Sequence, residues 1–399
     1  MLSYEFLFDL ALILISTKLL GLITKKIKMP QVVGALLAGI ILGPAFLNVL
    51  SETEFIQNLA ELGVIVLMFT AGLETDIKQL KKTGKASFII AILGVIVPLI
   101  GGFIVARLFN KGSDFNSILQ NVFIGIILTA TSVSITVETL KEMGKINTRA
   151  GNAILGAAII DDILGIVALT ITTSLADPSI SIVLVLFKIF MFFVLAIFSG
   201  YLFHWAFIKL DERYKRDLRR FVILAFVFCL LLSFSAEEFF GVADITGAFI
   251  AGLVISDSER STYLCSRFET LSYMLLSPIF FVSIGIKVRL TSMSGNLILF
   301  TIVLLIVAII SKVLGCALGG KICRYTNRES LQIGVGMVSR GEVALIVANK
   351  GIAMGLMVQE FLAPIVIVVV LTTILTPIFL KFAFVSNEKK QDLKETLRI

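Results

Sequence analysis

The octapeptide Val33-Gly34-Ala35-Leu36-Leu37-Ala38-Gly39-Ile40 has a counterpart in Thr246-Gly247-Ala248-Phe249-Ile250-Ala251-Gly252-Leu253, 213 residues further on. The same offset carries Gly72, in Phe69-Thr70-Ala71-Gly72-Leu73, onto Gly285, in Val282-Ser283-Ile284-Gly285-Ile286. Small apolar residues recur by chance on helix-packing faces, so either match alone carries little. Two matches in one register, in consecutive apolar segments, point to an internal duplication. The relative orientation of the two copies then follows from the number of segments between them.

Composition supplies that number. The 399 residues are 57% hydrophobic and 16% charged, with a mean hydropathy of +1.00, where soluble domains carry about 25% charged residues. Runs of about 20 apolar residues cross a bilayer, and lipid satisfies no backbone group, so such runs must be helices. The pattern predicts thirteen spans, at 5–24, 30–49, 58–75, 86–108, 118–140, 150–173, 181–207, 218–237, 243–256, 270–288, 295–319, 330–350 and 360–383. The ninth is the shortest. The first carries Asp9 and Lys18, with neither a basic leader nor a small-residue cleavage site, and reads as a retained helix rather than a signal peptide. The repeat pairs the second span with the ninth and the third with the tenth. A shift of seven is odd, so the copies run in opposite directions. The expected fold is an all-α polytopic membrane protein: two inverted six-helix repeats joined by a linker helix, an architecture of many secondary transporters.

Basic residues alternate between loops. Lys25, Lys26 and Lys28, then Lys78, Lys81, Lys82 and Lys85, then Lys141, Lys145 and Arg149 fall on one side, as do Lys209 to Arg220 and the tail. The other loops are poor in them, Lys111 excepted. The positive-inside rule puts the C-terminus in the cytoplasm and the N-terminus outside, in the plasma (inner) membrane. The net charge of +7 is thereby placed in loops, and nucleic acid is not an expected partner. Four scattered cysteines and one histidine make neither a disulfide framework nor a zinc site, and no cofactor is expected.

An ionisable side chain at the bilayer centre costs at least about 2.5–3.5 kcal/mol, so each one needs a reason. Asp161 and Asp162 lie within Gly156-Ala157-Ala158-Ile159-Ile160-Asp161-Asp162-Ile163-Leu164-Gly165. Adjacent helical residues point about 100° apart, so the two carboxylates serve different neighbours. A mid-membrane aspartate can hold a proton or a metal cation, and that mutual exclusion is sufficient for antiport. Lys312 stands mid-span in Ile309-Ile310-Ser311-Lys312-Val313-Leu314-Gly315, with Asp161 as its expected partner. Ser339-Arg340-Gly341-Glu342 and Thr129-Ala130-Thr131-Ser132 are polar stretches at corresponding depths. They predict crossing, unwound helices, with Arg340 and Glu342 compensating half-helix dipoles and Thr131 and Ser132 offering oxygens to a hard cation. Glu74, Glu138, Asp244 and Lys287 lie near helix ends and read as solvated.

Gly315-Cys316-Ala317-Leu318-Gly319-Gly320-Lys321 has P-loop spacing but is followed by Ile322 and ends a membrane helix, so nucleotide binding is not expected. An intramembrane aspartyl protease needs its two aspartates on separate helices, and the GxGD signature is absent; no enzymatic activity is expected. A cation channel would pass ions uncoupled from protons.

The residues quoted above, with Met29-Pro30-Gln31-Val32-Val33-Gly34, Gly43-Pro44, Gly72-Leu73-Glu74 and Val343-Ala344-Leu345, make the chain similar to the monovalent cation:proton antiporters, in the branch with Kef, NapA and GerN-type transporters. That resemblance implies a homodimer with panel helices at 1–83 and 215–292 and mobile core helices at 84–175 and 293–385. A linker would fill 176–214, and 386–399 would be a short cytoplasmic tail. It implies an elevator-like motion, cation and proton binding at Asp162, and pairing of Asp161 with Lys312. Kef-type potassium systems usually have glutamine before a single aspartate and a nucleotide-binding C-terminal domain. Their absence here favours Na⁺/H⁺ exchange; K⁺/H⁺ exchange, Li⁺ as a cargo and a sodium-coupled symporter of the same fold are the alternatives.

Overall fold

The computed structural model describes residues 4–26, 29–112, 114–176, 181–213, 218–288 and 293–385; the expected tail at 386–399 lies outside them. Every regular element among them is helical. The chain runs α1 (Glu5–Lys26), α2 (Gln31–Leu42), α3 (Glu54–Glu74), α4 (Ile77–Phe109), α5 (Phe115–Ile127), α6 (Val133–Glu142), α7 (Arg149–Ala176) and α8 (Ile182–Arg213). It continues through α9 (Leu218–Phe240), α10 (Asp244–Ile255), α11 (Ser261–Leu271), a π-helical turn (Ser272–Leu276), α12 (Ser277–Ile286) and α13 (Gly295–Ile322). After α14 (Asn327–Gly336) and α15 (Glu342–Ala353), a 3₁₀ turn (Gln359–Phe361) leads into α16 (Leu362–Val385).

Nine of the described helical segments are long and apolar enough to cross a membrane, and four shorter apolar helices accompany them, at Gln31–Leu42, Phe115–Ile127, Asp244–Ile255 and Val343–Ala353. This is a multi-pass membrane protein. The runs expected as single spans at 118–140 and 330–350 are each divided into two helices. The run at 270–288 stays continuous but contains the π turn, where the Ser272 and Ser277 hydroxyls meet at 2.8 Å just before Pro278. Proline removes one i→i−4 donor, and a π turn is one way a helix absorbs the gap.

Helix starts follow their capping residues. Asp76 caps α4, Asp114 caps α5 and Ser294 caps α13, while Thr326 and Glu329 form a capping box on α14. Each accepts from one of the backbone N–H groups that the first turn leaves without a partner.

Glycines set the closest approaches. A Cβ at Gly39 on α2 would lie 2.2 Å from the Val282 carbonyl oxygen and 2.9 Å from Gly285 Cα on α12. One at Gly72 on α3 would lie 2.2 Å from the Phe249 oxygen and 3.0 Å from Gly252 Cα on α10. α4 and α13 pack antiparallel, with Gly319 against Ile90, Gly315 against Leu93, and Gly101 against Val307.

Candidate functional site

Two helix interruptions meet at the centre of this packing. α5 ends at Leu128, the chain runs out of helix through Ser132, and α6 starts at Val133. α14 ends at Met337, and α15 starts after Gly341. The Ser132 N–H donates to the Ser339 carbonyl at 2.8 Å, and the Ser339 hydroxyl donates back to the Ser132 carbonyl at 2.7 Å. Thr136 adds a bond to the Gly336 carbonyl at 2.7 Å. The crossing also explains Gly341, where a Cβ would stand 2.7 Å from Ser132 Oγ. No proline lies in either break; polar side chains bonded across the crossing replace the lost ladder bonds.

Arg340, 1% exposed, holds the carbonyl end of α5. Its guanidinium donates to the Leu128 oxygen, to Ala130 at 2.9 Å and to Ala308 of α13 at 3.1 Å. A helix C-terminus carries roughly half a negative charge, and the cation sits against it. The Arg340 carbonyl in turn accepts from the Thr373 hydroxyl of α16.

Beside the crossing, Lys312 of α13 reaches Asp161 of α7. Its ammonium donates to Asp161 Oδ1 at 2.9 Å, to Oδ2 at 3.1 Å and to the Thr129 carbonyl at 2.8 Å. The Thr131 hydroxyl donates to Asp161 Oδ2 at 2.6 Å. Both charged groups are buried, Lys312 at 0% and Asp161 at 2% exposure. An interior pair survives the loss of hydration only when its remaining hydrogen-bonding capacity is satisfied, and Thr129 and Thr131 do that here. Gly94 of α4 lets a third helix close over the pair: a Cβ there would be 3.8 Å from both Asp161 Oδ1 and Lys312 Nζ. Asp162 differs. It follows on the same helix and is only partly buried. The hydroxyls of Ser132 and Ser134 lie 3.2 Å apart at the start of α6. Glu342 opens α15, and its side chain lies outside the described residues.

Charges read from sequence as solvated gather elsewhere. A cavity of about 580 Å³ is lined by Glu74, Glu138, Lys141, Glu142, Tyr273 and Lys18. A second, of about 910 Å³, is lined by Gln57, Glu61, Phe280, Lys287, Asn349 and Glu360. Gln57 and Glu61 stand near the first residues of α3 and Glu74 is its last, so the cavities open toward opposite ends of that helix. The only sequence signal for either was a scatter of charges at helix ends, which membrane interfaces also explain.

An all-helical, multi-pass chain with a buried ion pair beside two interrupted helices has the build of a secondary transporter. Residues 11–385 match the family of transmembrane sodium/hydrogen exchangers, and the chain belongs to that family. It is 38% identical to the Na⁺/H⁺-K⁺ antiporter GerN of Bacillus cereus over 391 residues, 97% of this chain and 98% of GerN. It is 35% identical to the Na⁺/H⁺ antiporter of Enterococcus hirae over 387 residues, 95% of this chain and 98% of the relative. Its fold is similar to that of the sodium proton antiporter MjNhaP1 from Methanocaldococcus jannaschii, with a TM-score of 0.73 over 97% of both chains at 19% identity.

Proposed function

We propose that the chain exchanges Na⁺ for H⁺ by alternating access, and that the two ions compete for Asp162. The observation that carries this is the unequal treatment of two adjacent aspartates. Asp161 is buried and neutralised by Lys312, whereas Asp162 is partly exposed at the same depth. A carboxylate that water reaches can take up a proton or an alkali ion, and one occupant must leave before the other binds. Thr131, Ser132 and carbonyls of the broken segment supply the oxygens a hard cation takes, and Asp161 adds to the local field. Lys312, Arg340 and Glu342 compensate charge around the crossing. In proteoliposomes with an imposed pH gradient, Asp162→Asn abolishes sodium-driven proton movement. Unaltered exchange by that variant overturns the assignment. K⁺ exchange is a second reading, favoured by the potassium in GerN's name; a pH-jump assay comparing Na⁺, Li⁺ and K⁺ separates the two.

The architecture proposed is thirteen spans in two inverted repeats with α8 as linker. Several helix boundaries support it at the same 213-residue offset: α1 starts at Glu5 and α9 at Leu218; α2 covers Gln31–Leu42 and α10 covers Asp244–Ile255; α7 starts at Arg149 and α16 at Leu362. The glycine contacts obey the same operation, since it carries the Gly39–Gly285 approach onto the Gly252–Gly72 approach. On this reading 1–83 and 215–292 form a dimerising panel, and 84–175 and 293–385 form a core that moves against it. The Lys- and Arg-rich ends face the cytoplasm of a plasma-membrane protein.

A further inference from the structure

At one end of the proposed panel–core boundary the two bodies are bonded together. The Lys141 ammonium of α6 stands 3.1 Å from Glu74 Oε1 and 3.2 Å from Thr70 Oγ1, both on α3. One residue on, the Glu142 carboxylate accepts the Gln31 N–H of α2, at 2.8 and 2.9 Å to its two oxygens. Lys141 and Glu142 belong to the core, and Glu74, Thr70 and Gln31 to the panel. At the other end the larger cavity separates α3 and α12 from α15 and α16. The ion pair described there, Lys287–Glu52 at 3.5 Å, joins panel to panel. The side chains of Lys141 and Glu74 are 11% and 23% exposed, a setting in which hydrogen bonds to charged groups are worth more than at an open surface.

We propose that Lys141 with Glu74 and Thr70, and Glu142 with the Gln31 N–H, form a latch that holds the cytoplasmic side of the transporter shut. Its release is then a required step of each inward-facing excursion. This rests on the two-body reading above. A latch of this kind sets the populations of the two states rather than the chemistry at Asp162. An ion's apparent affinity at one face scales with the fraction of molecules open to that face. The ratio of the two apparent KM values, cytoplasmic over external, therefore reports the latch directly.

The test compares right-side-out and everted vesicles carrying the full chain, with sodium-dependent proton flux as the readout. Lys141→Met keeps the apolar stem and removes the charge. Gln31→Pro, compared with Gln31→Ala so that loss of the carboxamide is common to both, removes the N–H at the first position of α2, where proline is tolerated, and the preceding residue already has the extended ψ of 145° that proline requires. Lys141→Met and Gln31→Pro each lower the KM ratio by about threefold to tenfold, the effect of losing one ordinary intramolecular hydrogen bond. The double variant Glu74→Gln/Lys141→Met moves it no further than Lys141→Met alone, because both remove one interaction. A ratio that stays put, or KM values that shift equally at both faces, overturns the latch. A second measurement is independent of transport. Cys265, whose thiol lies 3.1 Å from Glu74 Oε1, lines a cavity beneath the latch. A membrane-impermeant maleimide applied from the cytoplasmic side labels it about threefold to tenfold faster in Gln31→Pro, with Cys323 labelling unchanged. Unchanged Cys265 labelling also overturns the latch. Absence of sodium exchange in wild-type vesicles would instead sink the exchanger reading, and the labelling would still decide the latch.

Discussion

Asp161 and Lys312 show how one residue's cost becomes another residue's reason. Buried at 2% and 0% exposure, neither charge could stay alone. Breaking an interior pair from one side typically costs about 3–5 kcal/mol, because the remaining charge has no partner. Lys312→Ala should therefore lower the thermal midpoint in detergent strongly while changing the order of preference among Na⁺, Li⁺ and K⁺ little. Asp161→Asn/Lys312→Met, which removes both charges at similar volume, should recover most of the loss. Asp162→Asn, at nearly unchanged volume, should lower the midpoint less than Lys312→Ala does while exchange is lost. This pair was legible in the sequence because a charge inside an apolar run is conspicuous. Arg340 was conspicuous for the same reason, but its partners are carbonyls of Leu128, Ala130 and Ala308. No side-chain pattern announces a carbonyl, so only the folded crossing identifies them. Lys141 and Glu74 failed for the opposite reason: each lies near a helix end, where solvation is the ordinary explanation, and their meeting depends on how α3 and α6 pack.

Helices α2, α3, α10 and α12 pack as closely as backbone allows. A methyl at Gly72 would stand 2.2 Å from a carbonyl oxygen of the partner helix. Gly72→Ala should destabilise by about 1–3 kcal/mol, the usual consequence of overpacking. Gly84, also helical, has open space around it, with nothing within 4 Å of where a Cβ would stand, and Gly84→Ala should stabilise by about 0.5–1 kcal/mol. Circular dichroism melts distinguish the two directions. At α5 the cap is ionic: hydrogen bonds from the Ser117 hydroxyl and N–H hold the Asp114 carboxyl below its ordinary value. A folded-state value below the unfolded one gives stability that is present above the unfolded pKa and fades as pH falls through the folded one. Asp114→Ala should differ from wild type at neutral pH and converge with it in acid. The small-residue spacing that suggested the repeat marks residues of close helix approach, Gly39 to Gly285 and Gly72 to Gly252. The interruption at 128–132 was expected from its polar stretch and its match with 339–342, but its bounds were not, because Thr and Ser also occur inside unbroken membrane helices, bonded to the preceding turn as Thr372 is to Val368.

For the whole molecule, competition at one carboxylate has a kinetic signature. Lowering the pH on the cation-loading side should raise the apparent KM for Na⁺ while leaving the maximal rate unchanged, measured as initial flux in proteoliposomes. A fall in maximal rate at constant KM would instead place the proton at a separate site. The dimer expected from the panel helices should appear as a mass of twice 43.6 kDa by light scattering corrected for detergent. Family and multi-pass architecture were within reach of the sequence because hydropathy and motif spacing are one-dimensional signals. The disposition of the two cavities was not, since it is a property of how helices distant in sequence stand apart.

Because Ser132 and Ser339 are bonded to each other in both directions and Arg340 binds α5 and α13 together, the broken segments form one knot. If the proposed core moves against the panel, such a knot travels as one piece. Distances from Asp161 to Lys312 and Thr131 should then read the same whichever side of the bilayer the cargo enters from, while those from Asp161 to the glycines of α2 and α3 should change.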